Sequence, residues 1–229
     1  TLEDVSPERL ADWPTTMTVA GELLSIPTLS AEQALQLGPR VKRSAATMTA
    51  MVNDLLQYAR TQLGVDIPAK KRPTDLQQVC EAAIEDAQAG HSDCRFELDT
   101  SGDLTGDFDK DRIQQVFANL LHNAAQHRVG DRPVTLLASG EGDMVLVQVA
   151  NYGEVILDVS RETTFEPLVQ RAHAEGDVAR PSTSMGLGLF ISRQITEAHG
   201  GNISVVSSTD GGTVFTVRLP RHQAETNPG

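Results

Sequence analysis

Hydrophobic positions change period along this chain, and the changes divide it. Between residues 7 and 65, Leu10, Trp13, Met17, Ala20 and Leu24 step by three and four. A break follows at Ile26-Pro27-Thr28, after which Ser30 and Gln33 resemble a capping box. Val41, Ala45, Met48, Val52, Leu55 and Ala59 then repeat the same heptad stepping. That spacing belongs to a seam between helices rather than to a helix lying on a sheet. Gly38-Pro39 is expected to kink the start of the second helix. Two helices bury too little surface alone, so the hairpin is expected to pair with a second copy as a four-helix bundle, the alternative being a hairpin folded back on its own second domain.

The stretch from Gln62 to Pro73 breaks both helical and strand patterns, and the period alternates beyond it. Thr74-x-x-Gln77 is expected to open a helix running to about Ala89, Arg95–Asp99 alternates like a strand, and Asp109 opens a second helix. Val134–Ala138 and Met144–Val149 read as a strand pair across Gly140-Glu141-Gly142. A helix over about 188–199 ends at Gly200-Gly201, and the strands Asn202–Ser207 and Thr213–Leu219 flank a Thr-Asp-Gly-Gly turn. Arg221 to Gly229 reads as a frayed tail. Helices alternating with mostly hairpin-connected strands predict an α+β two-layer domain rather than a doubly wound parallel sheet. The expected organisation is a helical hairpin over 1–65, a linker over 66–73, an α/β domain over 74–221 and a disordered tail over 222–229.

Composition narrows the function. The 229 residues carry a formal charge of −12, from 31 acids and 19 bases. A nucleic-acid surface needs a basic stripe to neutralise phosphates, so that class is disfavoured. Cys80 and Cys94 have no partners at metal-ligand spacing and read as thiols of a reduced, cytoplasmic protein. No apolar run reaches the ~18–20 residues that span a bilayer. The chain opens on Thr1 rather than Met, which is expected of a piece of a longer protein whose membrane anchor, if it has one, lies upstream.

The helix opened by Asp109 holds the first chemical signal. Ile113, Val116, Phe117, Leu120, Leu121 and Ala124 form its apolar stripe, yet Asn119 and Asn123 sit one turn apart beside that stripe. Asn is a poor helix former because its amide competes for nearby backbone groups. Either the two amides are solvated at the edge of the stripe, or they face a site where an amide oxygen ligates a hard cation such as Mg²⁺. Ser184-Met185-Gly186-Leu187-Gly188-Leu189 places two glycines before an apolar helix, where a backbone can approach a ligand and free N–H groups favour an anion. Asn151-Tyr152-Gly153 follows a strand and leads to Ile156, so a polar side chain there can read a base edge while Gly153 admits its ring. Thr164-Phe165-Glu166-Pro167 and Gly212-Thr213 complete the set.

No one of these segments is specific, but their order is. Asn-x₃-Asn, Asn-x-Gly, Phe-Glu-Pro, Gly-Leu-Gly-Leu and Gly-Thr, in that sequence, resemble the N, G1, F, G2 and G3 boxes of two-component sensor histidine kinases. The resemblance covers residues 74–220, and the hairpin with its Asn53-Asp54-Leu55-Leu56 looks like the family's dimerisation and phosphotransfer domain. It implies the Bergerat ATP-binding fold, with ATP and Mg²⁺ held beneath a mobile lid. Asn123 matches the Mg²⁺ ligand, and Asn119 and Gln126-His127 match the phosphate side. Asn151 matches the residue that reads the adenine amine, with Gly153 and Ile156 beside it and Thr213 in the last box. Gly186, Leu187, Gly188 and Leu189 match the end of the lid, which would run from about Leu168 to Met185, with Arg171 or Arg180 in reach of a phosphate.

Two departures stand out. The G1 position is usually Asp, and here it is Asn151, whose amide still offers an oxygen to the adenine amine. The six histidines are His91, His122, His127, His173, His199 and His222, and none lies in the hairpin. The family's phosphoacceptor should fall near Val5–Leu10, within VSPERLADWPTTM, where Pro14 in the place of the family's proline would put Arg9 at the nucleophile's position. His122 reads as an exposed surface residue of the asparagine helix. The resemblance implies a homodimeric kinase core that transfers a phosphoryl group from ATP to histidine and on to a response-regulator receiver domain. The alternative is a pseudokinase that binds nucleotide and docks a regulator or another kinase without catalysis. A gyrase- or mismatch-repair-type ATPase is disfavoured by the heptad hairpin in front of the ATP domain.

Overall fold

A computed structural model describes residues 45, 48–49, 51–64, 69–153, 155–156, 163–168 and 186–222. The first hairpin helix, Trp13, Pro14, most of the lid and the tail beyond 222 lie outside the described residues.

Helix α1 is described over 51–62. Then follow β1 (Arg72–Asp75), α2 (Leu76–Gly90), β2 (Phe96–Ser101), β3 (Thr105–Phe108), α3 (Lys110–Gln126), β4 (Val134–Glu141), β5 (Met144–Asn151), α4 (Gly188–Ala198), β6 (Asn202–Ser208) and β7 (Gly212–Pro220). Five strands make one sheet in the order β2-β4-β5-β7-β6, while β1 and β3 pair separately. Only β2 and β4 run parallel within the large sheet, and its other neighbours are antiparallel.

Burial alternates along the central strands, which gives the sheet one covered face. Val134, Leu136 and Ala138 of β4, Val145, Val147 and Val149 of β5, and Phe215, Val217 and Leu219 of β7 are buried on that side. Leu137 and Val206 remain exposed. The covered face meets the apolar stripe of α3, whose Ile113, Val116, Phe117, Leu120 and Leu121 are fully buried, as their spacing predicts. Helices α2 and α4 flank α3 and complete a two-layer α+β sandwich.

Local chemistry sets where the helices begin. The Asp75 carboxylate accepts from Gln77 N at 2.9 Å and caps α2, so the helix starts one residue beyond the expected Thr74. Thr74 instead belongs to β1, where its single hydroxyl proton lies between the Arg72 carbonyl at 2.7 Å and the Phe108 carbonyl at 3.1 Å. Asp109 caps α3 as expected, accepting from Arg112 N at 3.3 Å and from Lys70 N at 2.7 Å. The backbone N–H of Asp109 donates to His199 Nε2 at 3.0 Å, and His199 Nδ1 lies 2.8 Å from the Ile195 carbonyl. An N–H can only donate and a carbonyl can only accept, so His199 is neutral with its proton on Nδ1. It ties the end of α4 to the start of α3.

Arg221 corrects the reading of a tail that begins there. It is 8 % exposed. Its guanidinium donates to the Gly142 and Thr105 carbonyls at 2.8 and 2.7 Å and to the Asp103 carbonyl, and it pairs with Asp103 Oδ2 at 2.9 Å. The rigid fork of donors thus locks the end of β7 to the start of β3 and to the β4–β5 turn.

Candidate functional site

The apolar inner face of the sheet ends in a polar row. Asn151 pairs in register with Thr213, and Thr213 with Ser207, so the three side chains lie side by side across β5, β7 and β6. The row before it is Val149, Phe215 and Val205, all buried. Asn151 is 4 % exposed, and its carboxamide has no hydrogen-bond partner among the described residues. Among the described residues the fully buried side-chain nitrogen and oxygen atoms left without a partner are Gln57 Oε1 and Arg128 Nε, so the Asn151 carboxamide keeps an accessible polar atom for whatever enters the site. Beside it, Ser207 Oγ accepts from Ile156 N at 2.9 Å and lies 2.7 Å from Thr213 Oγ1. Ile156 therefore sits over the row, itself buried.

The end of α3 closes one side. Arg128 and Gly153 form an isolated antiparallel bridge, and Val129 N donates to the Tyr152 carbonyl at 2.8 Å. This joins the asparagine helix to the segment after β5, and it leaves no room for a side chain at Gly153, where a Cβ would lie 1.9 Å from the His127 carbonyl. Arg132 stacks over the Tyr152 ring at 4.2 Å on the outer rim.

The two asparagines of α3 do different work. Asn119 Nδ2 donates to the Gly188 carbonyl at 3.0 Å and approaches Ser192 Oγ at 3.4 Å, so it binds α3 to the first turn of α4. Its oxygen is left for other partners. Asn123 is half-buried, and its carboxamide has no partner among the described residues. Ahead of α4, Leu168 N donates to the Gly186 carbonyl at 3.2 Å. Leu168 adopts φ 63°, an unfavourable left-handed backbone for leucine. Leu187 is buried and Leu189 packs on the core, so both anchor the turn before α4, whereas Gly186 and Gly188 expose its backbone.

The structure thus brings Asn151, Gly153, Ile156 and Thr213 to one end of the sheet, and Asn119 to Gly188 across two helices. Ser207 and Ser192 were missed in the sequence. The signal was available for Ser207, because a serine continues the inward alternation Ile203, Val205. His122 is not the exposed residue its sequence position suggested. It is half-buried, and its Nδ1 lies 2.9 Å from His91 Nε2 at the end of α2.

Burial lowers the pKa of His122 to about 4, with the neighbouring His91 and His127 adding to the effect. Burial also lowers His91 and His199. Above the unfolded value of about 6.5 these imidazoles are neutral whether folded or not. As pH falls from about 6.5 toward 4 the unfolded chain takes up protons that the folded chain refuses, so stability is lost across that window. Asp54, raised to about 6 by burial, opposes this with a single carboxyl. The melting temperature is expected to drop between pH 7 and 4.5 by on the order of 5 °C. A His122→Leu variant should show a shallower fall in the same calorimetric series, and equal slopes would refute the assignment.

Among the described residues no group of three or more His, Cys, Asp or Glu is placed to hold a metal ion. An amide donor set suits only a hard cation that takes its remaining ligands from water and phosphate, which is the habit of Mg²⁺. The free carboxamide of Asn123 fits that requirement.

The family of this sandwich is given by its likeness to known proteins. Residues 108–223 match the family described as histidine kinase-, DNA gyrase B- and HSP90-like ATPase, and the chain belongs to that family. It is 30% identical over 210 residues to a bacteriophytochrome of Pseudomonas aeruginosa, covering 92% of this chain and 28% of that protein. It is 34% identical over 186 residues to a probable sensor histidine kinase, TcrY, of Mycobacterium tuberculosis, covering 79% of this chain and 37% of that one. The chain therefore spans well under half the length of these relatives. Among solved structures, it is similar to ShkA, solved full-length in complex with AMPPNP, with a TM-score of 0.66 and 26% identity over 96% of this chain and 47% of that one. The catalytic domain of the histidine kinase ThkA matches with a TM-score of 0.55 and 25% identity, covering 66% of this chain and 96% of that domain.

Proposed function

We propose that this chain is the ATP-binding core of a dimeric two-component sensor histidine kinase, working on the cytoplasmic side of the membrane. The observation that supports the reading best is the Asn151 carboxamide, without a hydrogen-bond partner among the described residues, at the end of the polar row across β5, β7 and β6. Asn151 receives the purine edge, Thr213 and Ile156 line its pocket, and Gly153 admits the ring. Asn119, His127 and the backbone of Gly186 and Gly188 hold the phosphates. Asn123 holds Mg²⁺ through its amide oxygen, and the ion supplies charge neutralisation on the phosphoryl group being transferred. The acceptor chemistry would be a histidine and then an aspartate of a response-regulator receiver domain.

The proposed organisation keeps 1–65 as the dimerisation hairpin and 74–221 as the nucleotide domain. Helix α1 supports this with two faces. Tyr58 packs edge-on against Phe190 of α4 at 5.7 Å, so one face touches the ATPase layer. Val52, Leu55, Leu56 and Leu63, spaced as a helical stripe, stay exposed at 56, 36, 54 and 79%. A partner hairpin would cover that stripe. Among the described residues no helix is long and apolar enough to cross a membrane. A second reading, a pseudokinase that docks a regulator or another kinase, is favoured by one fact: none of the six histidines lies in 1–65.

Titration calorimetry with Mg-ATP tests the core claim. Binding is expected, with a melting temperature that rises by mass action. Asn123→Ala should retain the apo melting temperature and lose the Mg²⁺-dependent part of the nucleotide shift. No heat of binding at millimolar Mg-ATP would refute the reading.

A further inference from the structure

We propose that the base pocket accepts guanine as well as adenine nucleotides, because the Asn151 amide can reverse its hydrogen-bonding sense. The inference rests on the reading of this site as a purine-nucleotide pocket.

The two purines present opposite edges. Adenine offers a donor at its 6-amino group and an acceptor at N1, whereas guanine offers an acceptor at O6 and a donor at N1–H. A pocket that reads one and rejects the other needs a group of fixed polarity opposite position 6. A carboxylate is such a group, since it can only accept. Here that place belongs to Asn151, whose amide carries an oxygen and an NH₂ of almost the same shape. Nothing among the described residues holds that amide in one orientation, although the residue is 4 % exposed. A half-turn about its last bond replaces acceptor by donor without moving the backbone.

Asn151 sits at the end of β5 beside its register partner Thr213, within reach of whatever occupies that end of the sheet. A carboxylate at 151 would remove the reversal and restore discrimination.

Competition against a fluorescent ATP analogue tests this with the full chain, using Mg-ATP, Mg-GTP and Mg-ITP on the native protein and on Asn151→Asp. In the native protein GTP and ITP are expected within about tenfold of ATP. In Asn151→Asp the ATP preference over both should widen by roughly ten- to a hundredfold, the scale on which an unmatched buried polar group discriminates. ITP shares O6 and N1–H with guanine but lacks the 2-amino group, so it must follow GTP. A native preference for ATP above a hundredfold overturns the proposal, whatever the variant does. So does the same preference in both proteins, or GTP binding without ITP binding. Failure of the native chain to bind any of the three would instead remove the nucleotide site on which the inference stands.

Discussion

Incubated with γ-labelled ATP, the chain is expected to carry no acid-labile phosphate on residues 1–70, even when its nucleotide site is full. Phosphoryl transfer depends on holding a nucleophile in line with the γ-phosphate, and the hairpin offers no imidazole for that place. Arg9 cannot substitute, because a guanidinium stays protonated, and the nitrogen of Pro7 is locked in the backbone. The effect is all or none rather than graded. His122, the other histidine of interest, is hydrogen-bonded to His91 on the side of α3 that meets the end of α2, so it is poorly placed to receive a phosphoryl group. Rebuilding a His-acid pair in the first helix, in the register set by Pro14, should restore labelling if the ATP site is competent. Phosphohistidine in the unmodified chain would overturn this expectation, with His122 the first position to map. A rebuilt chain that binds ATP but stays unlabelled would favour the pseudokinase.

Where the sequence was legible, a period repeated long enough to exceed its noise. The apolar stripe of α3 runs for more than three turns, and the inward alternation of β4, β5 and β7 is bounded by turns on both sides. The two-layer architecture followed from those elements. Strands β1 and β3 escaped notice because Arg72-Pro73-Thr74-Asp75 and Thr105-Gly106-Asp107-Phe108 are short, polar and mutually supporting. Their pairing comes from main-chain bonds, and Arg221, distant in sequence, holds the β3 side of it. The site was legible as an ordered set of motifs, since each lies at the end of an element where local chemistry changes abruptly. What joins them was not. That Asn119 binds the Gly188 carbonyl, that Ser207 supports Thr213, and that His91 meets His122 are contacts between elements, and no local spacing encodes them. The same limit made His122 look exposed: its helix position faces outward until the end of α2 arrives beside it.

Gly153→Ala is expected to destabilise the domain by about 3 kcal/mol or more and to abolish nucleotide binding in whatever fraction stays folded. The reason is space rather than backbone freedom. Gly153 does not need a left-handed φ, but a methyl group there would lie 1.9 Å from the His127 carbonyl oxygen. That atom is backbone at the C-terminal end of α3, where the His127 N–H is bonded to the Asn123 carbonyl, so it cannot swing aside as a side chain would. Relief requires the Arg128–Gly153 bridge to open, which also releases the Val129 N–H from Tyr152 and detaches α3 from the segment that follows Asn151. Gly142→Ala supplies the contrast. Its φ is 58°, and no atom lies within 4 Å of a Cβ built there, so only left-handed strain of about 1 kcal/mol opposes the substitution. Urea denaturation should therefore rank Gly153→Ala well below Gly142→Ala, and only the first should lose Mg-ATP binding at a concentration where both are folded. If the two variants prove equally stable and bind nucleotide equally well, the close approach of α3 to the base pocket is not what holds that pocket in shape.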